Sequence, residues 1–288
     1  VIGPTFGEYA RVAGLAGATV HQWLASESET FAVDIDAVSE GLAQWRPRVA
    51  FVCNPNNPTG VVLPPHVLVR WASAHRFTLL VVDEAYHAFA PDFESVLAHA
   101  PANIVVLRSM TKDYALAGLR LGYAVGHPAV IEPLARVRPA WNVNALALAA
   151  GVAALEDDDH LKRSTAALWT ARETFVAGLT ALGWSPLPSA VHFFLMRVGD
   201  AAALRRALLE RNILVRDGTS FGLPAHVRIA ARREEENARF LACLAALSGS
   251  AATPSTTTPE EQSIAARRHH DAQKMLRGDR GIRGWIYG

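Results

Sequence analysis

Lys112 closes the run Ser109-Met110-Thr111-Lys112, directly after the apolar stretch 104–107, and a lysine in that place could act as a nucleophile. Its amine attacks an aldehyde only when deprotonated, which requires a desolvated or cationic setting. The apolar stretch supplies the first condition, and Arg108 and Arg120 lie near enough to add the second. The plainer alternative is a solvated surface charge. Asp83, in Asp83-Glu84-Ala85-Tyr86, ends a second apolar stretch, where a carboxylate can simply cap the next turn. Asn54-Pro55-Asn56-Asn57-Pro58-Thr59-Gly60 follows a third, and its residue types make a turn. Arg120, in Ala117-Gly118-Leu119-Arg120-Leu121-Gly122-Tyr123, offers a planar fork that matches phosphate oxygens two at a time. Arg228 stands inside Val227-Arg228-Ile229-Ala230, where a charge is costly without an anion. That anion is either a ligand carboxylate or an acidic side chain from elsewhere.

These residues need a scaffold that brings several strand ends together. Short β-rich runs alternate with helical patterns, the rhythm of a mostly parallel sheet covered by helices. Strands are expected over 49–53, 78–82, 104–108 and 121–125, all rich in Val, Leu and Ile as strands buried on both faces should be. Helices are expected over 34–45, with Asp34 as N-cap, and over 64–75, with proline at the start. In such sheets a ligand crevice lies at the carboxyl ends of the strands, which is where Lys112 and Asp83 fall. The texture then changes. Helical stretches 144–155 and 157–182 are followed by a strand (192–198), a helix (201–211), two short strands (213–216 and 226–230) and a closing helix (234–247). The chain thus divides into an α/β large domain over residues 1–138 and a smaller α+β domain over 139–247. Residues 248–259 read as a Ser/Thr/Ala/Pro linker, and the polar, Gly- and Arg-rich stretch to residue 288 as a disordered tail.

Composition narrows the partners. The 288 residues are 50% apolar and 19% charged, with a formal net charge of +1, which gives no electrostatic reason to expect nucleic acid or a membrane surface. Two cysteines make no disulfide framework, and no stretch is apolar and long enough to span a bilayer, so a cytoplasmic setting is expected. His269-His270 is the one hint of a metal, but adjacent side chains do not share a helix face and no other ligands stand nearby. No metal is expected.

Taken in order, Asn54–Gly60, Asp83–Tyr86, Ser109–Lys112 and Arg120 resemble the core of pyridoxal-phosphate (PLP) enzymes of fold type I, the aminotransferase class I and II family. The resemblance covers residues 1–247. It implies PLP as cofactor, with Lys112 as its Schiff-base lysine and Asp83 as the acid that keeps the pyridine nitrogen protonated. It places Tyr86 and Asn57 at the cofactor's phenolic oxygen, and Ser109 and Arg120 at its phosphate. Phe6, in Pro4-Thr5-Phe6-Gly7-Glu8-Tyr9, falls where relatives set an aromatic ring against the cofactor face, although a helix-packing role suits it nearly as well. Arg228 takes the position of the arginine that binds the substrate α-carboxylate. His192 departs from the asparagine common there, which alters both shape and proton inventory.

Within the family two branches compete. Leu107-Arg108-Ser109-Met110-Thr111-Lys112-Asp113-Tyr114 looks more like L-threonine-O-3-phosphate decarboxylase of cobalamin biosynthesis, and residues 139–144 and 216–223 lean the same way. Histidinol-phosphate aminotransferase is the alternative. Both act on a small phosphorylated amino substrate, and Arg216 is the candidate for its phosphate. Relatives are homodimers, and they carry a further stretch upstream of Val1 that contributes to the phosphate site through helix N–H groups. That stretch motivates a reading of another class, a catalytically impaired fragment that keeps the fold but holds PLP weakly.

Overall fold

The alternation of strands and helices read from the sequence is what the chain builds. The computed structural model describes residues 1–250. Val1–Cys243 forms one compact unit, and the second unit, from Leu244 onward, is described only to Ser250. In chain order the elements are β1 (Ile2–Gly3), α1 (Glu8–Leu15), β2 (Trp23–Leu24), α2 (Ile35–Trp45), β3 (Val49–Cys53), α3 (Pro65–Ala74), β4 (Leu79–Asp83), β5 (Ile104–Ser109) and β6 (Gly122–Gly126). There follow α4 (Pro128–Val137), α5 (Ala145–Leu155), α6 (Asp158–Ala181), β7 (Phe193–Arg197), α7 (Ala201–Leu209), β8 (Arg216–Asp217), β9 (His226–Ala230) and α8 (Glu234–Ser250).

A four-stranded sheet ordered β3-β4-β5-β6 carries the motifs. Strands β3, β4 and β5 are parallel and β6 closes the edge antiparallel. Its core packs Val52, Val82 and Val106 against Leu68 and Trp71 of α3 and Val38 and Leu42 of α2. Side chains buried to this degree each contribute about 1.5–3 kcal/mol, which fixes strand register and with it the positions of the strand ends. Helix starts follow their caps. Asp34 accepts from the Asp36 and Ala37 amides, and Asn144 and Asp157 cap α5 and α6 in the same way.

A second sheet, antiparallel and ordered β7-β9-β8, is built from the later part of the chain. The strand expected over 213–216 is shorter and later than the sequence pattern indicated. The Ile213 amide instead bonds the Leu208 carbonyl at 2.9 Å, finishing α7, and only Arg216 and Asp217 pair with β9. Helix α8 runs to Ser250, past the expected end at Leu247. The linker and tail expected beyond it lie outside the described residues. No described helix is long and apolar enough to cross a membrane.

Candidate active site

Register brings the motifs to one edge. Cys53 pairs with Asp83, and Asp83 with Leu107, so the parallel strands β3, β4 and β5 end side by side. The turn after β3 is held by its own asparagines. Asn54 is 1% exposed, and its side chain donates to the Leu63 carbonyl at 2.9 Å and accepts from the Leu63 amide at 2.8 Å. Asn56 donates to the Pro4 carbonyl and to Thr59 Oγ1, and accepts from Thr5 Oγ1 at 2.7 Å. Gly60 closes the turn at φ +73°, where a Cβ would stand 1.9 Å from Ser189 Oγ, so only glycine fits. Its carbonyl accepts from the Ala190 amide, which ties the turn to the segment that presents His192.

A cleft of about 310 Å³ opens where these ends meet. Seven residues singled out from the sequence line it: Lys112, Asp83, Tyr86, Asn57, Phe6, Arg216 and Arg228. Lys112 Nζ donates to Ser109 Oγ at 3.1 Å, and Ser109 shares a 2.7 Å hydrogen bond with Thr111. Removal of water lowers the Lys112 pKa, Asp83 pulls the other way, and the Arg120 charge lowers it further. The cationic help expected from Arg108 is absent. Arg108 is spent on Glu84, a fully buried carboxylate 2.6 Å away, and so is neutralised beneath the site. Arg120 does not line the cleft. Its backbone is left-handed at φ +56° and its guanidinium donates to the Ala117 carbonyl at 3.0 Å.

Asp83 accepts from neutral donors only, the Tyr9 hydroxyl at 2.6 Å and the Ala85 amide at 3.0 Å. It makes no ion pair among the described residues, so its charge is available to a cation in the cleft. Tyr86 is held 4.9 Å from the Phe193 ring, and burial raises its pKa, with the Arg228 charge opposing. Arg228 reaches across from β9 and donates to Oδ1 of Asn57, while its guanidinium lies 4.9 Å from the Phe193 ring centroid. Arg216 donates to Ser220 Oγ at 2.6 Å and lies over Phe221. The His192 ring packs against Phe89, centroids 4.2 Å apart and planes tilted by 49°, and His192, with Lys112, borders an adjoining cavity of about 760 Å³. Burial and the charges of Arg228 and Arg172 lower its pKa to about 4, so it is neutral near pH 7, and its Nδ1 has no partner among the described residues.

Two contributors were not picked out from the sequence. Tyr9 lines the cleft, as does Cys53, whose thiol is pushed up to about 12 by burial and the Asp83 charge. The signal for Tyr9 was its position three residues after Phe6, which puts both rings on one face where the chain enters α1. Cys53 carried no signal beyond ending its strand. Chemically, the set fits PLP. It contains an amine of lowered pKa, an unpaired carboxylate, a phenol and an amide in one cleft, with cationic side chains around them.

Comparison with known proteins agrees. The aminotransferase class I and II family profile matches residues 1–244. A histidinol-phosphate aminotransferase of Symbiobacterium thermophilum is 39% identical over 252 residues, covering 85% of this chain and 68% of the relative. The crystal structure of histidinol-phosphate aminotransferase from Sinorhizobium meliloti in complex with pyridoxal-5'-phosphate superposes with a TM-score of 0.76 at 26% identity, over 85% of this chain and 69% of that one. L-threonine-O-3-phosphate decarboxylase from Porphyromonas gingivalis gives 0.74 at 28% identity, over 85% and 75%. The chain spans between 53% and 68% of the length of the first curated relatives it matches.

Proposed function

The chain belongs to the aminotransferase class I and II family of PLP-dependent enzymes, and on that premise we propose that it serves amino-group transfer on a small phosphorylated amine of the histidinol phosphate type. The sequence reading had put the decarboxylase first. Relatives at 36–39% identity named as histidinol-phosphate aminotransferases favour the alternative, because they extend over most of the chain whereas the decarboxylase motifs are short.

One observation carries the substrate class. Arg216 and Arg228 are direct cross-strand partners on β8 and β9, and both line the cleft with Lys112. Like charges placed opposite one another are unfavourable in an antiparallel pair. Neither forms an ion pair with a carboxylate among the described residues, and the Arg216 charge contributes to lowering the Arg228 pKa. A phosphate ester, with up to two negative charges and three acceptor oxygens, answers both guanidiniums at once. Arg228 would then serve the phosphate of a substrate that lacks a carboxylate, or the carboxylate of one that has it.

PLP, when bound, supplies an electron sink for the bond broken at the substrate carbon. The chain's residues supply position and protons. Lys112 would hold the cofactor aldehyde and later move a proton through Nζ, which its lowered pKa favours. Asp83 would face the ring nitrogen. Tyr86 would donate to the phenolic oxygen, and so would Nδ2 of Asn57, since Oδ1 is occupied by Arg228. Ser109 would meet the phosphate, and so would Arg120 once its guanidinium leaves the Ala117 carbonyl; Phe6 would cover a ring face, and His192 would border the substrate as a neutral imidazole. A homodimer is part of the same proposal.

Decarboxylation stays as the second reading on the strength of Ser109-Met110-Thr111-Lys112-Asp113-Tyr114. Turnover separates them. Glutamate formation from 2-oxoglutarate and histidinol phosphate supports the proposal, whereas carbon dioxide released from threonine phosphate without an oxo acid overturns it.

A further inference from the structure

Tyr9 stands outside every role assigned so far, yet it makes the shortest side-chain contact to Asp83. We propose that Tyr9 is a positioning residue that fixes the Asp83 carboxylate toward the cofactor's ring nitrogen without neutralising it. The inference rests on the PLP reading above.

Several observations combine. The Tyr9 hydroxyl donates to Asp83 Oδ2 at 2.6 Å, joining residues 74 positions apart. Asp83 Oδ1 is held by the Ala85 amide at 3.0 Å, so both carboxylate oxygens are tethered and the group cannot rotate freely. Tyr9 is itself immobilised. It is 6% exposed, its ring stacks on Phe51 at 5.2 Å and 9°, and the Phe6 ring meets it edge-on at 5.6 Å. A ring clamped in this way has given up its rotamer freedom at folding, so it adds no ordering cost when a ligand arrives.

The type of donor also matters. A lysine or arginine in this place would orient Asp83 equally well but would cancel its charge. A phenol orients and leaves the charge in place. It must keep its proton to do so, and burial together with Cys53 and Asp83 raises the Tyr9 pKa well above its ordinary value. The other titratable groups facing Asp83 are compatible. Cys53 and Tyr86 both have pKa values raised by burial and by the Asp83 charge, and Lys112 stands across the cleft with its own pKa lowered by the removal of water. Charge-assisted hydrogen bonds of this kind are about twice as strong as neutral ones, so loss of the hydroxyl should be felt at the ring nitrogen.

The test uses the whole chain and two readouts. In the cofactor-free protein the Tyr9 hydroxyl proton should give a slowly exchanging downfield resonance that vanishes in both Tyr9→Phe and Asp83→Asn. Its absence from the wild-type spectrum overturns the contact and the proposal with it. With PLP added, Tyr9→Phe should weaken binding about 3- to 10-fold, less than the full worth of a hydrogen bond to a charged group because the Asp83 carboxylate itself remains. It should also move the pH midpoint of the bound cofactor's absorption band. In the Asp83→Asn background the same change should cost less than 2-fold and leave the midpoint alone. Phe51→Leu, which loosens the stack but keeps the hydroxyl, should not shift the midpoint. Equal losses from Tyr9→Phe in both backgrounds, or a shift in Phe51→Leu as large as in Tyr9→Phe, would mean that Tyr9 only packs. A wild-type chain that shows the resonance but takes up no PLP would overturn the role while leaving the contact, and would count against the cofactor reading itself.

Discussion

Arg228 donates a hydrogen bond to Oδ1 of Asn57, joining β9 to the turn after β3 across 171 positions of sequence. The contact settles the orientation of the amide. With its oxygen occupied, Asn57 presents Nδ2 to the cleft and can act there only as a donor. The same contact holds the guanidinium of Arg228 at the cleft wall, where it and Arg216 would meet a substrate anion under the proposed function.

Loss of either arginine should therefore appear in substrate binding before it appears in cofactor binding. We expect Arg216→Ala to raise KM for histidinol phosphate about 10- to 100-fold, as for a charged hydrogen-bond pair, with kcat for a non-phosphorylated analogue nearly unchanged. Arg228→Ala should do the same and also weaken PLP binding, because it frees Asn57. Steady-state kinetics with both substrates, beside a PLP titration, checks the difference.

Gly60 is a backbone requirement of the site. Gly60→Ala would put Cβ within 2.6 Å of Ser189 Cβ at a left-handed φ, and so we expect a loss of about 1–3 kcal/mol in denaturant unfolding. Ser189→Ala should not rescue it fully, since the Ser189 Cα lies 3.1 Å from the same point.

The ion pair below the site supports it structurally. Glu84 accepts from Ser95 Oγ, the Val96 amide and Arg108 with no exposed surface. Glu84→Ala leaves Arg108 charged and nearly buried, and such changes typically cost about 3–5 kcal/mol. Thermal unfolding should show a large fall in Tm for Glu84→Ala and a smaller one for the double variant Glu84→Ala/Arg108→Met.

Acid should weaken the fold through two half-buried histidines. His192 and His87 both have pKa values lowered to about 4 by burial, from an ordinary 6.5. Between those limits the unfolded chain binds protons that the folded chain does not, so their stabilising contribution is complete above about pH 6.5 and lost toward pH 4. Asp113, raised to about 6 by burial, acts with the opposite sign between roughly pH 4 and 6. Denaturant midpoints measured from pH 7 to 4 should fall, and His192→Asn should flatten the decline.

Much of this arrangement was legible because strand ends are written in local sequence. The boundaries of β3, β4 and β5 fall within a residue or so of their apolar runs, and parallel register then carries Asn57, Asp83 and Lys112 to one edge. Asp34, read as an N-cap, announced its helix in the same way. Long-range pairing was not legible. Nothing local to Arg108 says that Glu84 will neutralise it, and nothing near Tyr9 says that its hydroxyl will reach Asp83. The choice of reaction fared worst. Three short motifs, residues 107–114, 139–144 and 216–223, leaned toward decarboxylation, while similarity spread across most of the chain leaned toward amino transfer. Which bond breaks depends on how the substrate is held, a task the proposal gives to Arg216, Arg228 and His192, which lie on three separate segments.

The central claim is that Lys112 is the amine that captures PLP. It is tested most directly by incubating the chain with excess PLP, reducing with borohydride and mapping the labelled peptide. The account predicts one label per chain, on Lys112, formed faster as pH rises with a midpoint below that of an ordinary lysine. No label, or equal labelling of a Lys112→Arg variant, would contradict it.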